Sequence, residues 1–206
     1  MKALMIRASL ALTVVAGLQA CAPLVDGGVV GGAMVATDRR TSGIQLEDEN
    51  IEIKAGGRIG QMLGDRTHVN VTSYNRQVLL TGEVPNEQDR AYVAKLVSEV
   101  ENVRTVLNET VVAPKSSLGD RSSDALISAK VKAQMVDSKD IFANAYKIVT
   151  ERGVVYRMGK VTQREADRAT EVARQVSGVK KVVRSFEIVT EEDLKALLPE
   201  PPKEKQ

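Results

Sequence analysis

The chain carries one pattern twice, 76 to 77 residues apart. Ile51-Glu52-Ile53-Lys54 aligns with Ile127-Ser128-Ala129-Lys130, and Val78-Leu79-Leu80-Thr81-Gly82-Glu83-Val84 with Val155-Tyr156-Arg157-Met158-Gly159-Lys160-Val161. Val100-Glu101-Asn102-Val103 then matches Val176-Ser177-Gly178-Val179. Solenoid repeats are roughly 20–50 residues long, so this longer period marks a duplicated domain.

Each copy reads as α-β-β-α-β. Ile127, Val131 and Met135 fall at i, i+4 and i+8 and predict a helix that opens the second copy. Two strands joined by a tight turn follow. They are 68–72 and 77–81 around Tyr74-Asn75-Arg76 in the first copy, and 145–150 and 154–158 around Glu151-Arg152-Gly153 in the second. A second helix carries Val93, Leu96, Val97 and Val100, matched by Ala169, Val172, Ala173 and Val176, with Pro85 early in it. Strands 103–112 and 179–189 close the units. The expected class is α+β: two tandem domains, each a small three-stranded sheet covered on one face by two helices. Gly82 and Gly159, at matching strand ends, are read as structural, as positions where backbone approaches closely. Gly178 is read as the C-cap of its helix, a place filled by Asn102 in the first copy. A domain of about 65 residues buries only a modest core, so pairing the copies would help both.

Ahead of the repeat, Lys2 and Arg7 precede an apolar run from Ala8 to Leu18, followed by Gln19-Ala20-Cys21. A basic start, a short apolar core and a small residue before the cut describe a secretory signal. Leu18-Gln19-Ala20-Cys21 resembles a bacterial lipobox, and Cys21 is the only cysteine. Residues 1–20 are thus expected to be a lipoprotein signal and Cys21 the lipidated residue. Ala22 follows it, not the aspartate that retains lipoproteins at the inner membrane, so the expected location is the outer membrane, facing the periplasm. The remaining divisions are a lipid anchor and flexible tether over 21–46, domain 1 over 47–113, a linker over 114–122, domain 2 over 123–190, and a short helix with a disordered tail over 191–206. The mature chain of 186 residues carries 27 basic and 27 acidic side chains.

Catalytic signals are missing. His68 is the sole histidine, and without a cysteine or a second histidine it does not make a typical zinc site. No phosphate loop, Gly-x-Gly-x-x-Gly or Gly-x-Ser-x-Gly elbow occurs. No enzyme activity, cofactor or metal is expected. Glu47-Asp48-Glu49 reads as an acidic helix start that favours the dipole. Charge, by contrast, is uneven: residues 46–113 hold 7 basic and 11 acidic side chains, residues 120–189 hold 14 and 9. A basic domain behind a lipid anchor points to anionic headgroups, and the compartment excludes nucleic acid as a partner.

The strand Val78-Leu79-Leu80-Thr81-Gly82-Glu83-Val84 and the later Val176-Ser177-Gly178-Val179-Lys180-Lys181-Val182 resemble the BON domain, and two copies behind a lipobox resemble the dual-BON outer-membrane lipoproteins. The likeness extends to Ala36-Thr37-Asp38-Arg39-Arg40-Thr41-Ser42-Gly43 and to Val161-Thr162-Gln163-Arg164-Glu165-Ala166. It implies a non-enzymatic protein that binds anionic phospholipid through its second domain and serves envelope integrity, with a link to the division site. It also implies that the helix opening domain 2 touches the membrane. On a helical wheel Leu126, Ala129 and Ala133 form a weakly apolar strip flanked by Lys130 and Lys132, which suits a bilayer interface. Where those lipoproteins carry a tryptophan, this chain has Leu126. A protein-interaction or chaperone role, with other envelope proteins as partners, is the alternative.

Overall fold

The computed structural model describes residues 38–138 and 140–197. Domain 1 consists of α1 (Ser42–Leu63), β1 (His68–Tyr74), β2 (Gln77–Val84), α2 (Glu87–Ser98), β3 (Thr105–Asn108) and β4 (Val111–Val112). Domain 2 consists of α3 (Leu118–Asp137), β5 (Tyr146–Glu151), β6 (Val154–Val161), α4 (Gln163–Arg174) and β7 (Lys181–Ile188), and α5 (Glu191–Leu197) follows. Each sheet pairs an antiparallel hairpin with a parallel strand returned by the intervening helix: β1–β2–β3, with β4 also on β2, and β5–β6–β7.

Local chemistry explains the helix starts. Thr41 caps α1 through Ile44 N–H, and Asn86 caps α2 through Asp89 N–H. Ser117 with Asp120 and Thr162 with Glu165 form reciprocal capping boxes on α3 and α4. These caps move three expected boundaries. Helix α1 starts at Ser42, so 42–46 is not tether; residues 22–37 and Cys21 lie outside the described residues. Helix α3 starts at Leu118, which shortens the linker. Pro85 stands before the α2 cap, not inside the helix. The expected 103–112 strand is split, because the Asn108 carboxamide accepts from Thr110 N–H and Oγ and turns the chain.

Both hairpins turn through two residues of positive φ: Asn75 (51°) and Arg76 (63°), then Arg152 (54°) and Gly153 (77°). A buried aspartate on the preceding helix holds each turn. Asp48 accepts from Asn75 N–H and Arg76 N–H at 2.8 Å, and from Ser73 Oγ at 2.7 Å. Asp124, 76 residues later, accepts from Arg152 N–H at 2.7 Å and Gly153 N–H at 2.8 Å. Glu47, Asp48 and Glu49 are not the expected helix start: α1 begins at Ser42, its first turn holds no acidic residue, and Asp48 serves instead as a turn clamp.

A Cβ on Gly82 would stand 2.0 Å from His68 O, and one on Gly159 2.6 Å from Ala145 O. Gly178 is not a C-cap. Helix α4 ends at Arg174 with Gln175 capping, and Gly178 (φ 95°) sits in the turn closed by Val179 N–H to Val176 O. Asn102 (φ 67°) holds the same position in the turn closed by Val103 N–H to Val100 O.

Each domain has its core between sheet and helices: Ile51, Ala55, Val78, Leu80, Val93 and Val97 in the first, and Val131, Met135, Val155, Val161, Ala169 and Ala173 in the second. The helix-free faces supply a third core, in which Tyr74 and Leu79 pack with Tyr156 and Met158. The domains are thus fused sheet to sheet. Polar links rim that contact: Lys147 Nζ to Glu52 (2.5 Å), Arg152 to Glu83 (3.2 Å) and Asn75 to Glu187 (2.5 Å). Part of the charge difference between the copies is therefore met internally, by basic groups of domain 2 on carboxylates of domain 1.

Candidate functional site

Helix α3 has two unlike faces. Asp124, Ile127, Val131 and Met135 are buried against the domain 2 sheet. On the outward side Leu118 is 80 %, Leu126 62 % and Val136 63 % exposed. Ala129 and Ala133 lie exposed between the last two, and Lys130 is exposed beside them. Spacings of 3, 4 and 3 residues from Leu126 to Val136 keep one stripe along the helix. Leu118 and Val136 lengthen the strip read from the sequence, which stopped at Ala133. Phe142, past the helix end, is a further exposed apolar side chain.

Lys132 does not belong to this strip. Its Nζ donates to Ala143 O at 2.5 Å, and burial lowers its pKa. A lysine tied to a backbone carbonyl within its own domain is not free to meet a headgroup. Spacing places a side chain near a face but does not show what it bonds to.

A second cluster lies where the domains meet. Glu83 is fully buried; its Oε2 accepts from His68 Nδ1 (2.9 Å) and from Ser116 N–H and Oγ (3.2 Å each), and its Oε1 from Arg152 (3.2 Å). Burial works against the Glu83 anion, but these donors hold its pKa below the ordinary value. Glu151, also buried, accepts from Asn70 Nδ2 at 2.9 Å, and burial with the nearby Glu83 charge raises its pKa. Ser116 Oγ lies 3.4 Å from His68 Nδ1, the same nitrogen that meets Glu83. A serine–histidine–acid relay needs the hydroxyl and the acid on opposite ring nitrogens, so this arrangement is no triad.

BON-domain models match residues 48–114 and 123–190, which together span both repeats. The chain belongs to the BON-domain family. Its dual-BON arrangement is DolP-like. The outer membrane lipoprotein DolP of Haemophilus influenzae is 39 % identical over 171 residues, covering 82 % of this chain and 89 % of that protein. The 21 kDa hemolysin of Actinobacillus pleuropneumoniae is 32 % identical over 154 residues, covering 74 % and 79 %. Osmotically-inducible protein Y of Escherichia coli is 29 % identical over 119 residues, covering 56 % and 59 %. These relatives mark the chain as an envelope-associated BON protein. Among the described residues, no helix is long and apolar enough to cross a membrane.

Proposed function

We propose that this protein is anchored by lipid at Cys21 to the outer membrane, faces the periplasm, and rests the outer face of α3 on anionic phospholipid to help maintain the envelope, with a place at the division site. The exposed stripe Leu118, Leu126, Ala129, Ala133 and Val136 is the observation that carries this reading. An unpaired apolar helix face beside a free lysine fits an interfacial helix. Apolar contact dominates: fully burying a leucine contributes about 1.5–3 kcal/mol, whereas Lys130 near an anionic surface contributes about 1 kcal/mol.

The test is flotation of the lipid-free mature chain (residues 22–206) with vesicles that contain or lack an anionic phospholipid. Binding is expected to both, and about fivefold tighter to the anionic vesicles for the ~1 kcal/mol that Lys130 contributes. Leu126→Asp should reduce it by about tenfold or more: the lost apolar contact persists at high salt, and the repulsion of the added carboxylate fades. Lys130→Glu should reduce it less, with an effect that fades as salt rises. Wild-type binding retained by Leu126→Asp would overturn this placement and favour a protein-interaction role. Anchoring is tested separately: mass spectrometry should find Cys21 acylated, and Cys21→Ala should accumulate as a larger precursor.

A further inference from the structure

A ring nitrogen of His68 and one carboxylate oxygen from each of Glu83 and Glu151 lie within 4.8 Å of one another, and Nδ1 is the nitrogen that faces Glu83, at 2.9 Å. His68 is on β1 and Glu83 on β2 of the first domain, and Glu151 is on β5 of the second. We propose that this cluster binds a divalent transition-metal ion of the zinc class, held by His68, Glu83 and Glu151, which fastens one domain to the other.

The donor set points to that class of ion. Mg2+ and Ca2+ favour sites built from oxygen alone, whereas an imidazole nitrogen with carboxylates suits zinc and its neighbours. Three protein ligands leave a fourth position for water. The surrounding groups orient the ligands as an outer shell does. Arg152 holds Glu83 Oε1, Ser116 steadies Oε2 through its N–H and Oγ, and Asn70 steadies Glu151 through Oε2. The ion takes the place of the hydrogen now shared by His68 Nδ1 and Glu83 Oε2: a neutral imidazole binds as its Nε2–H tautomer with no net proton released, and an imidazolium releases one proton to solvent. Access is provided by a cavity of about 410 Å3 whose walls include His68, Asn70, Asp124 and Glu151.

The cluster is not a general feature of the repeated fold. In the alignment that pairs Gly82 with Gly159, the counterparts of His68, Glu83 and Glu151 are Ala145, Lys160 and Tyr74. Among the described residues, the three ligands therefore come together where the two domains face each other.

Since His68 is the only histidine, nitrogen-15 NMR of its imidazole reports on the site without ambiguity. Zinc chloride added to the lipid-free mature chain at neutral pH should shift the Nδ1 resonance, saturate at one equivalent and raise the melting temperature. Magnesium chloride should do neither. Glu151→Gln keeps the side-chain size and an acceptor for Asn70, and should weaken zinc binding by about tenfold or more. An unmoved His68 resonance at equimolar zinc, an equal response to magnesium, or unchanged zinc affinity in Glu151→Gln would each overturn the proposal. None of these readouts involves a membrane, so the outcome is independent of the lipid reading.

Discussion

Arg39 and Glu165 form a buried, two-pronged ion pair across 126 positions of sequence, with contacts of 2.6 and 2.8 Å. Arg39 lies just ahead of α1 in domain 1, and Glu165 is also the capping-box acid of α4 in domain 2. The same guanidinium donates to Lys160 O at 2.8 Å. Its neighbour Arg40 stacks over Tyr74 at 4.4 Å and bonds Asp38 and Asp48. The segment before the first helix thereby straps the two domains together.

Breaking that strap should be costly. Arg39→Ala leaves the Glu165 carboxylate buried without its cation, and removing one partner of a buried pair costs about 3–5 kcal/mol. Chemical denaturation of the lipid-free mature chain is the check. A loss below about 1 kcal/mol would mean that solvent reaches Glu165.

The same pair sets an acid limit. Burial opposes the Glu165 anion, but Arg39 and the Thr162 N–H outweigh it, so the folded pKa lies below the usual carboxylate value. A depressed carboxylate stabilises the fold fully above its unfolded pKa, about 4.3. That stabilisation disappears as pH falls through the lower folded value. Melting temperature followed from neutral to acid pH should fall less steeply in Arg39→Ala than in the wild type.

Asp48 and Asp124 should both clamp their hairpins, though not equally. Substituting either with alanine strips two hairpin N–H groups of a buried acceptor, at a cost of about 1–3 kcal/mol. Asp48→Ala should be the more damaging, because its turn holds two non-glycine residues at positive φ and Asp124's turn holds one. Equal or reversed losses in urea melts would refute that ranking.

The matching glycines should differ in tolerance. A methyl group at Gly82 would meet His68 O at 2.0 Å with φ at 107°, whereas at Gly159 the contact with Ala145 O is 2.6 Å and φ is not in the left-handed region. Gly82→Ala should therefore destabilise more than Gly159→Ala, and valine should be worse than alanine at both, through strain on the order of 1–3 kcal/mol. Melting curves of the four variants measure this directly.

Arg157 predicts an effect of the opposite sign. Its guanidinium is fully buried, donates to Thr170 Oγ1 at 2.6 Å and lies near the Tyr146 and Phe186 rings; its Nε and one terminal nitrogen lack partners. Burial pushes its pKa down to about 10. Leu80 fills the equivalent place in the first domain. Arg157→Leu should be neutral or stabilising by about 1–4 kcal/mol, as replacements of buried charges by apolar groups often are. Marked destabilisation would show that the cation serves the fold.

Spacing alone is enough to place two α-β-β-α-β units, the buried row Ile127, Val131 and Met135, and the outward Leu126, because helix and strand periods act within a few residues. Gly82 and Gly159 are conspicuous for the same reason, standing at matching points of a repeated strand. What the period cannot convey is which surface meets which. Leu79 and Tyr156 look like any apolar residues in a sheet until the two helix-free faces close on each other. Lys132 looks free until the chain brings Ala143 back beside it. Asp48, Arg39 and the grouping of His68 with Glu83 and Glu151 acquire their roles only through partners between 15 and 126 positions away. Local pattern determines the elements and their inner faces; the pairing of distant polar groups is decided when the two sheets dock and remove water between them.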